Sequence, residues 1–552
     1  MSMFSVGLSG LNAAQSALNT TSNNISNVYT PGYNREVTKL GEGFASTGGV
    51  QVNAIERQFN QYVAAQLNSA KTQSSALSTY YNQVSQIDNL LADREAGLAP
   101  LMQNFFSSLE DLASAPSDPA ARQGVLGTAN TLSAQFRSFD GYLQDMQSNI
   151  NNQIKDEVTQ INNTTEQIAG LNREIALARA RTGEAPNSLL NQRDQLVSEL
   201  NERMDLRLNI QDGKTYNISL PNGQPLVTGT DSFKLEAVES PSDPQRIVVG
   251  YRDGGGNLSA LNENVISGGA LGGLMSFRSE TLDKTQNQIG QLAVSLSVAF
   301  NEQHKQGVDL NGEQGEDFFN VRPPQAYSHE NNVNSNVVPS VAFDAETIDK
   351  LRATDYTVRI VGGEPIVTRN DNGAELNSSD PNSASYVDLA NWADGEITFG
   401  GVTVTFDPAK LPQAGDRFEI QPVRRAGEGM EANISDLDKI AAGEEAFAGD
   451  NRNALALQNL QSQSIVGGNA SVSGAYGAMV SDVGNRTNIT QVNLDARQGL
   501  TDQLRAVQQS ESGVNLDEEA ANLIRFQQFY QANARVIDTA SNIFDTILGL
   551  RS

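Results

Sequence analysis

Two heptad-spaced apolar rows, one at each end of the chain, constrain this sequence more than anything else in it. Near the N-terminus Phe4, Leu11, Leu18 and Ile25 recur every seven residues, with Leu8 and Ala14 on the same face. Near the C-terminus Leu516, Leu523, Tyr530, Ile537 and Phe544 repeat the spacing. A seven-residue apolar repeat marks a helix that packs on another helix. Ala520, Ala534 and Leu548 occupy the alternate heptad position of the second row, which Gln527 and Ser541 interrupt. Its start is well marked. Asn515 can cap the helix, Glu518 can close a capping box, and Asp517, Glu518 and Glu519 sit at the positive end of the helix dipole.

The N-terminal row lies in a segment whose first charge of either sign is Arg35, and whose first 34 residues hold six Ser and six Asn. An amphipathic helix with no charged face is poorly suited to standing alone in water, which points to burial in an assembly. A secretory signal would open with Lys or Arg before an apolar run, and this segment does not. Export, if it occurs, is expected by a route that cleaves no signal. No apolar stretch reaches the roughly 18 residues of a membrane span. Two readings of the rows stay open on pattern alone. The terminal helices pair with each other and then with copies of themselves, or they are ordinary core helices of one domain.

Between the ends the pattern changes twice. Residues 56–93 read as helix through Phe59, Val63, Leu67, Leu77, Val84, Ile87 and Leu91. A second helical region runs from about 120 to 181, where Leu132, Phe136, Phe139, Leu143, Met146 and Ile150 alternate fours and threes. Ile154 and Val158 then follow at successive fours, a stutter that locally unwinds a coiled coil. Leu189, Leu196, Leu200 and Met204 resume the helix after a Gly183–Pro186 break. From 206 to 262 the segments are short, with turn signals at Asp212-Gly213, Asn222-Gly223 and Asp253-Gly254 between runs such as Tyr216–Leu220 and Arg246–Tyr251. Gly268, Gly269, Gly272 and Gly273 read as a flexible turn before a helix at about 274–305. A second β-rich block spans about 341–423, with strand candidates Thr357–Val361, Ile366–Thr368, Ile397–Phe399, Val402–Phe406 and Phe418–Ile420. It carries 14 acidic and 6 basic residues and the only Trp, Trp392. Helix returns at about 451–463 and 476–510.

The side chains offer little to catalysis. The chain has no Cys, which excludes disulfides, thiolate metal sites and Cys nucleophiles. Its two histidines, His304 and His329, lie 25 residues apart without ligand spacing and read as structural or surface residues. Asp309-x-Asn311-x-Glu313 lacks the Gly and Glu that a calcium loop needs at its sixth and twelfth positions, where Gln314 and Asn320 stand, so it reads as a turn. The glycines at 268–273 are not followed by Gly-Lys-Ser/Thr and are no phosphate loop. A net charge of −27 repels phosphate backbones and argues against nucleic acid. The expectation is a protein that is not an enzyme and needs no cofactor or metal.

The run Ser22-Asn23-Asn24-Ile25-Ser26-Asn27-Val28-Tyr29-Thr30-Pro31-Gly32-Tyr33-Asn34-Arg35 resembles the N-terminal signature of bacterial flagellar axial proteins, the rod, hook and hook-associated family. Ser512–Leu523 and Tyr530–Ile537 resemble that family's C-terminal signature. The chain length, Gly268–Leu274, and the spaced motif from His304 through Gly307, Asp309, Gly312 and Gly315 to Phe319 are similar to the members at the hook–filament junction. The resemblance implies terminal helices that form the inner tube of a hollow structure, and β-rich parts that project outward. It implies a ring of copies between the hook protein below and a second junction protein above. It also implies export unfolded through the flagellar apparatus, with a dedicated chaperone on the C-terminal helical region. It leaves the block at 341–423 unmatched. Another axial component, a secreted coiled-coil adhesin, and an axial protein with an enzyme in its insertion are the alternatives.

The expected architecture is α+β, elongated and multidomain. Residues 1–55 with 512–552 form the inner terminal-helix unit. Residues 56–205 with 265–335 and 425–511 form a helical unit, and 206–264 and 336–424 are two β-rich insertions. Phe4, Leu8, Leu11, Leu18 and Ile25 are expected to pack on Leu516, Leu523, Tyr530, Ile537 and Phe544. Asn23, Asn24 and Asn27 are expected to fix the turn after the first helix by side-chain to backbone bonds. Gly32 supplies a conformation costly for other residues, and Thr30, Tyr33 and Arg35 complete the axial-protein motif.

Overall fold

The computed structural model describes residues 3–549 except 44–47, 94–96, 212–214, 335–336, 382, 384 and 448. The Asp212-Gly213 turn lies outside the described residues. Among the described residues ten α-helices carry the frame: α1 Met3–Ser26, α2 Gln61–Leu91, α3 Leu98–Ser114, α4 Pro119–Thr182, α5 Asn187–Arg203, α6 Gly269–Phe277, α7 Asp283–Gln306, α8 Arg452–Asn459, α9 Val472–Ser512 and α10 Leu516–Gly549.

The spine is α4. Its 64 residues make a rod of about 96 Å at 1.5 Å per residue. Asp118 caps its start through the amide of Ala120, and Gly183 ends it in the left-handed conformation. The residues of the heptad pattern, from Leu132 through Ile150, Ile154, Val158, Ile161 and Ile168 to Ile175, are buried through the stutter, and the rod stays helical across it. Those from Leu132 to Ile168 join α2, α3 and α7 in one long apolar core.

The first β-rich part lies on α4 and consists of two antiparallel sheets. One runs Arg207–Gln211, Thr215–Ser219, Pro225–Thr228 and Asp231–Ser232, and the other Leu235–Glu239, Ile247–Arg252 and Leu258–Ala260. Three asparagines of α4 hold these strands by their backbones. Asn151 accepts from the amide of Ile247 (3.0 Å), Asn162 accepts from that of Leu235 (2.9 Å), and Asn172 donates to the carbonyls of Tyr216 (2.8 Å) and Gly229 (2.7 Å). An amide side chain pairs with an extended backbone as another strand would, so a helix side carrying Asn can satisfy sheet edges.

The second β-rich part is a sandwich. Its first sheet takes the order Gln325–Ser328, Arg417–Gln421, Tyr356–Val361, Glu364–Arg369. Its second takes Ser340–Phe343, Val402–Thr405, Glu396–Phe399, Val387–Asp388. Alternate residues of both sheets, among them Tyr356, Val358, Phe399, Val404 and Phe418, fill an apolar core separate from that of the helices. Trp392 sits at its margin, edge-on to Phe406.

Several expectations are corrected. The helix expected from 56 starts at Gln61. Residues Val50–Arg57 instead form a strand paired with Glu36–Glu42, and Asn60 caps α2. α3 was not read from the pattern at all. Gly268–Gly273 do not form a flexible turn. Gly268 precedes α6 and the others lie inside it, where a Cβ on Gly273 would sit 2.4 Å from the carbonyl oxygen of Ala76. The glycines let α6 touch α2 backbone to backbone. A π-turn at Arg278–Leu282 joins α6 to α7, and Arg278 is fully buried, donating to the Ile247 carbonyl (2.7 Å) and to Glu263 (2.6 Å).

Candidate assembly site

The two chain ends meet. α1 and α10 pair antiparallel, Gly7 beside Ile537 and Asn24 beside Glu519. The seam is not the one expected. On α1 the buried residues are Gly7, Gly10, Ala13, Ala14, Ala17, Thr20, Thr21 and Asn24. A Cβ on Gly10 would fall 2.2 Å from Asn533 Oδ1, and one on Gly7 would fall 2.8 Å from the Ile537 side chain. Small residues bring the two backbones close, and the large apolar residues are thereby turned to the flanks. Phe4 and Leu8 are exposed, and Leu11, Leu18 and Ile25 are half-buried. On α10, Leu523 and Ile537 are half-buried, Ile537 against Gly7 of α1, while Leu516, Tyr530 and Phe544 are exposed, Phe544 by 61%. The expected mutual packing of the two large-residue rows is therefore corrected to small residues of α1 against Asn533, Val536 and Ile537.

Among the described residues of α10 only Glu519 is buried, at 2% exposure. Ile524, Phe529, Ile543, Ile547 and Leu548 join Phe544 in the open. A 34-residue helix that buries one acid and exposes a row of large apolar side chains is unfinished as a solitary surface.

The buried acid organises the signature residues. The Asn24 amide donates to Glu519 Oε2 (3.2 Å) and to the carbonyl of Glu36 (2.9 Å), while its oxygen accepts from the Glu36 amide (3.0 Å) and the Tyr33 hydroxyl (2.8 Å). Arg35 donates to Glu519 Oε1 (2.7 Å) and pairs with Glu518 (3.1 Å). The Arg35 amide also donates to the Ser512 carbonyl (2.9 Å), tying the loop to the end of α9. Burial raises the Tyr33 phenol well above its ordinary value, helped by the Glu36 and Glu519 carboxylates, so it stays protonated and donating. Burial also raises the Glu36 carboxyl, opposed by a hydrogen bond from Asn187.

The rest of the motif shapes the loop. The Asn27 side chain donates to the Asn23 carbonyl (2.9 Å) and accepts from the Thr30 hydroxyl (3.1 Å). Asn23 contributes that carbonyl. Gly32 has φ +74°, and a Cβ there would meet Gln195 at 2.9 Å. Buried Asn34 donates to Asn191 of α5 (2.8 Å), and Arg57 pairs with Asp194 (2.5 Å) one turn further along. These links hold the terminal pair to the helical body. Asn515 caps α10 through the amide of Asp517 (2.9 Å).

Sequence reasoning named the motif, Asn34 within it, but missed Gly7, Gly10, Asn191 and Asp194, and read Glu519 as a dipole partner. The available signal was position. Glu519, three residues after Leu516 and four before Leu523, lies on the helix side that meets α1.

The histidines are structural or peripheral. His304 is fully buried, its Nδ1 facing the Glu316 carbonyl (2.7 Å) and its Nε2 accepting from the Ala441 amide (2.9 Å). Asp309 closes a turn by accepting from the amides of Asn311 (2.8 Å) and Glu313 (2.9 Å). Among the described residues no group of His, Cys, Asp or Glu is arranged to hold a metal ion, and no helix is long and apolar enough to cross a membrane.

The chain is similar to known proteins. Residues 84–319 match the family model of the flagellar hook-associated protein FlgK helical domain, 4–34 that of the flagella basal body rod protein, and 508–550 that of the flagellar basal body rod FlgEFG protein C-terminal. The chain is 40% identical to flagellar hook-associated protein 1 of Salmonella typhimurium and 41% identical to that of Escherichia coli, with both partners covered in full. A solved structure, the flagellar hook junction protein FlgK from Burkholderia pseudomallei, superposes with a TM-score of 0.73 at 28% identity, covering 81% of this chain and 99% of that one.

Proposed function

The chain belongs to the flagellar hook-associated protein 1 family, and from that membership we propose that it forms a ring of copies joining hook to filament and is needed for the filament to assemble on the hook. The family is a structural one and not an enzyme family. The observation that carries the reading is α10, which buries Glu519 alone and leaves Phe544 and its apolar neighbours uncovered. Such a face finds its partners in neighbouring copies.

The mechanism is mechanical. The α1–α10 pair of each copy lies in the inner wall, where Phe4, Leu8, Leu516, Tyr530 and Phe544 pack on adjacent pairs. The clamp of Asn24, Arg35 and Glu519 keeps each pair together, and Asn34–Asn191 and Arg57–Asp194 transmit torque to the α4 rod. The hook protein lies on one side and a second junction protein on the other. The chain acts outside the cell in the flagellum, and an export chaperone covers the C-terminal helices beforehand. It binds no nucleic acid and does not insert in a membrane.

Clean deletion with electron microscopy of cell bodies tests the reading. Intact hooks without filaments, and filament protein free in the medium, are the expected result. Missing hooks would move the chain down into the rod or hook, and normal filaments would remove it from the axial structure.

A further inference from the structure

A run of buried charge mounts the outer sandwich on the body. Arg278 pairs with Glu263 (2.6 Å) at the π-turn, and Arg246 pairs with Asp283 at the start of α7. Arg424 meets Asp283 (3.3 Å), Asp243 (3.8 Å) and Asp355 of the sandwich. Glu419 lies beyond Asp355, on the strand Arg417–Gln421. Thr357 stands opposite Glu419 in register, and Asp355, two residues before Thr357, shares its face of the sheet. The run sets five carboxyls, Asp243, Glu263, Asp283, Asp355 and Glu419, against three guanidiniums. A carboxyl without a counter-charge in a poorly solvated site keeps its proton.

The hydrogen bonds show the same surplus of acceptors. Asn287 of α7 faces Asp355. Asn287 Oδ1 and Asp355 Oδ1 are both buried, and neither accepts a hydrogen bond from the described residues. A proton on Asp355 supplies a donor to this group. Around Glu419, Asn370 donates to Oε1 (2.7 Å), and the Thr357 hydroxyl lies 3.3 Å from Oε2. Tyr327 stands opposite on the other neighbouring strand and accepts from Gln245 of the first β-rich part (3.0 Å), so this face looks into the body. Arg417 and Arg359 lie further out on it, exposed. Nearby Arg369, Arg322 and Arg425 are held by Asp371, Glu428 and Asp140. Burial, with Asp355 beside it, pushes the Glu419 carboxyl up to about 8 against the pull of Arg424 and Asn370. Burial raises Asp355 too, against Arg424. Asp283 meets the same desolvation, yet Arg246 and Arg424 hold it below its ordinary value. The surplus proton therefore belongs to Asp355 and Glu419 as a pair.

We propose that the outer sandwich is fixed to the body by a proton lock, in which a proton shared by Asp355 and Glu419 keeps the mount closed and its loss lets the sandwich part from the body. In a parted sandwich Glu419 returns to its ordinary 4.5. Between that pH and about 8 the closed mount binds a proton that the open one has released. Raising the pH through this window favours opening, and above it both forms are ionised and the preference levels off. His329, at the end of the neighbouring strand and lowered by burial, works in the opposite direction below 6.5.

Hydrogen exchange of the full chain between pH 5.5 and 8, each rate divided by the intrinsic rate at that pH, tests the lock. One proton changes the opening constant by up to about tenfold per pH unit. Protection across 325–421 should fall roughly tenfold or more over this range in the wild type, while that of α4 does not fall. Glu419→Gln keeps an acceptor for Asn370 and cannot ionise, so its protection should fall by less than about threefold. Glu364→Gln removes an exposed acid of the same sheet and should follow the wild type. The proposal is overturned if wild-type protection across 325–421 holds constant with pH, a result that needs no variant. It is equally overturned if Glu419→Gln falls as steeply as the wild type, or if Glu364→Gln flattens the curve as much.

Discussion

Asn24 and Glu519 lie 495 positions apart in the chain and share a hydrogen bond of 3.2 Å at the seam of the terminal helices. The same carboxylate takes Arg35 at 2.7 Å. Removing one partner of a buried charged pair leaves the others uncompensated, which costs about 3–5 kcal/mol. Glu519→Ala should therefore release α1 and α10 from each other while leaving the β-rich parts folded. Glu519→Gln keeps an acceptor and should be milder. Hydrogen exchange resolved by segment reads the difference. Unchanged protection of residues 10–26 in Glu519→Ala would show that the clamp does not hold the pair.

The glycine seam makes a second prediction. Gly10→Val introduces branches where even a Cβ falls 2.2 Å from Asn533. Overpacking of this kind costs about 1–3 kcal/mol. The pair should loosen and assembly fall, and Asn533→Ala should recover part of the loss by making room. Absence of any recovery in the double variant would refute the contact.

His304 gives the chain a pH dependence of defined sign. Burial lowers its folded pKa below the ordinary value of 6.5, and the Ala441 amide donates to its unprotonated nitrogen. The unfolded chain then binds the proton more readily than the folded one. Stability contributed by neutral His304 is present above pH 6.5 and is lost as the pH falls below it. His329, also lowered by burial, adds the same sign more weakly from a half-exposed position. Melting temperatures at pH 7.5 and 5 should differ less in His304→Gln than in the wild type. Equal differences would show that His304 does not carry the effect.

Arg424 fixes the outer sandwich to the body. It contacts Asp355 of the sandwich, Asp283 at the start of α7 (3.3 Å) and Asp243 of the first β-rich part (3.8 Å). Arg424→Met takes the cation from buried Asp355, while Asp283 keeps Arg246 and Asp243 keeps Gln421, with an expected loss of about 3–5 kcal/mol. Amide exchange should rise across 325–421 before the helical core responds. Simultaneous loss of protection in α4 would argue against a locally anchored unit.

In dilute solution α10 should exchange its amides fast beyond Ala540, where every described residue of the helix is exposed and no seam contact resists fraying. In assembled flagella the same amides should be protected by at least tenfold. Strong protection in the monomer would mean that the helix is complete without neighbours.

Much of this fold is written in local pattern. The heptads of α4, the Asn515 cap and the strands of the outer sandwich follow from spacing and turn chemistry alone. α3 begins after Gly97 and carries Pro100 in its first turn, residues that ordinarily interrupt a helical pattern, although a proline there lacks only an amide that would be orphaned anyway. The terminal seam escaped for a different reason. Large apolar residues draw attention, yet helices approach most closely where Gly7, Gly10 and Ala14 stand. Buried charge is the least legible feature. Arg122 is an arginine like any other in the sequence, and only the fold brings the carbonyls of Pro116 (2.7 Å), Leu437 (2.7 Å) and Ile440 (2.9 Å) to it.

The antiparallel pairing of α1 with α10 also sets an order of events. A ribosome delivers residues 3–26 among the first and their seam partners some 500 residues later. Synthesis at about 5–20 residues per second separates the two by tens of seconds to about a minute and a half. Throughout that interval the glycine and alanine face of α1 has nothing to close upon, whatever the spine and the sandwich have done. The first helix made is thus among the last to settle, and a chain interrupted before Glu519 can never dock it.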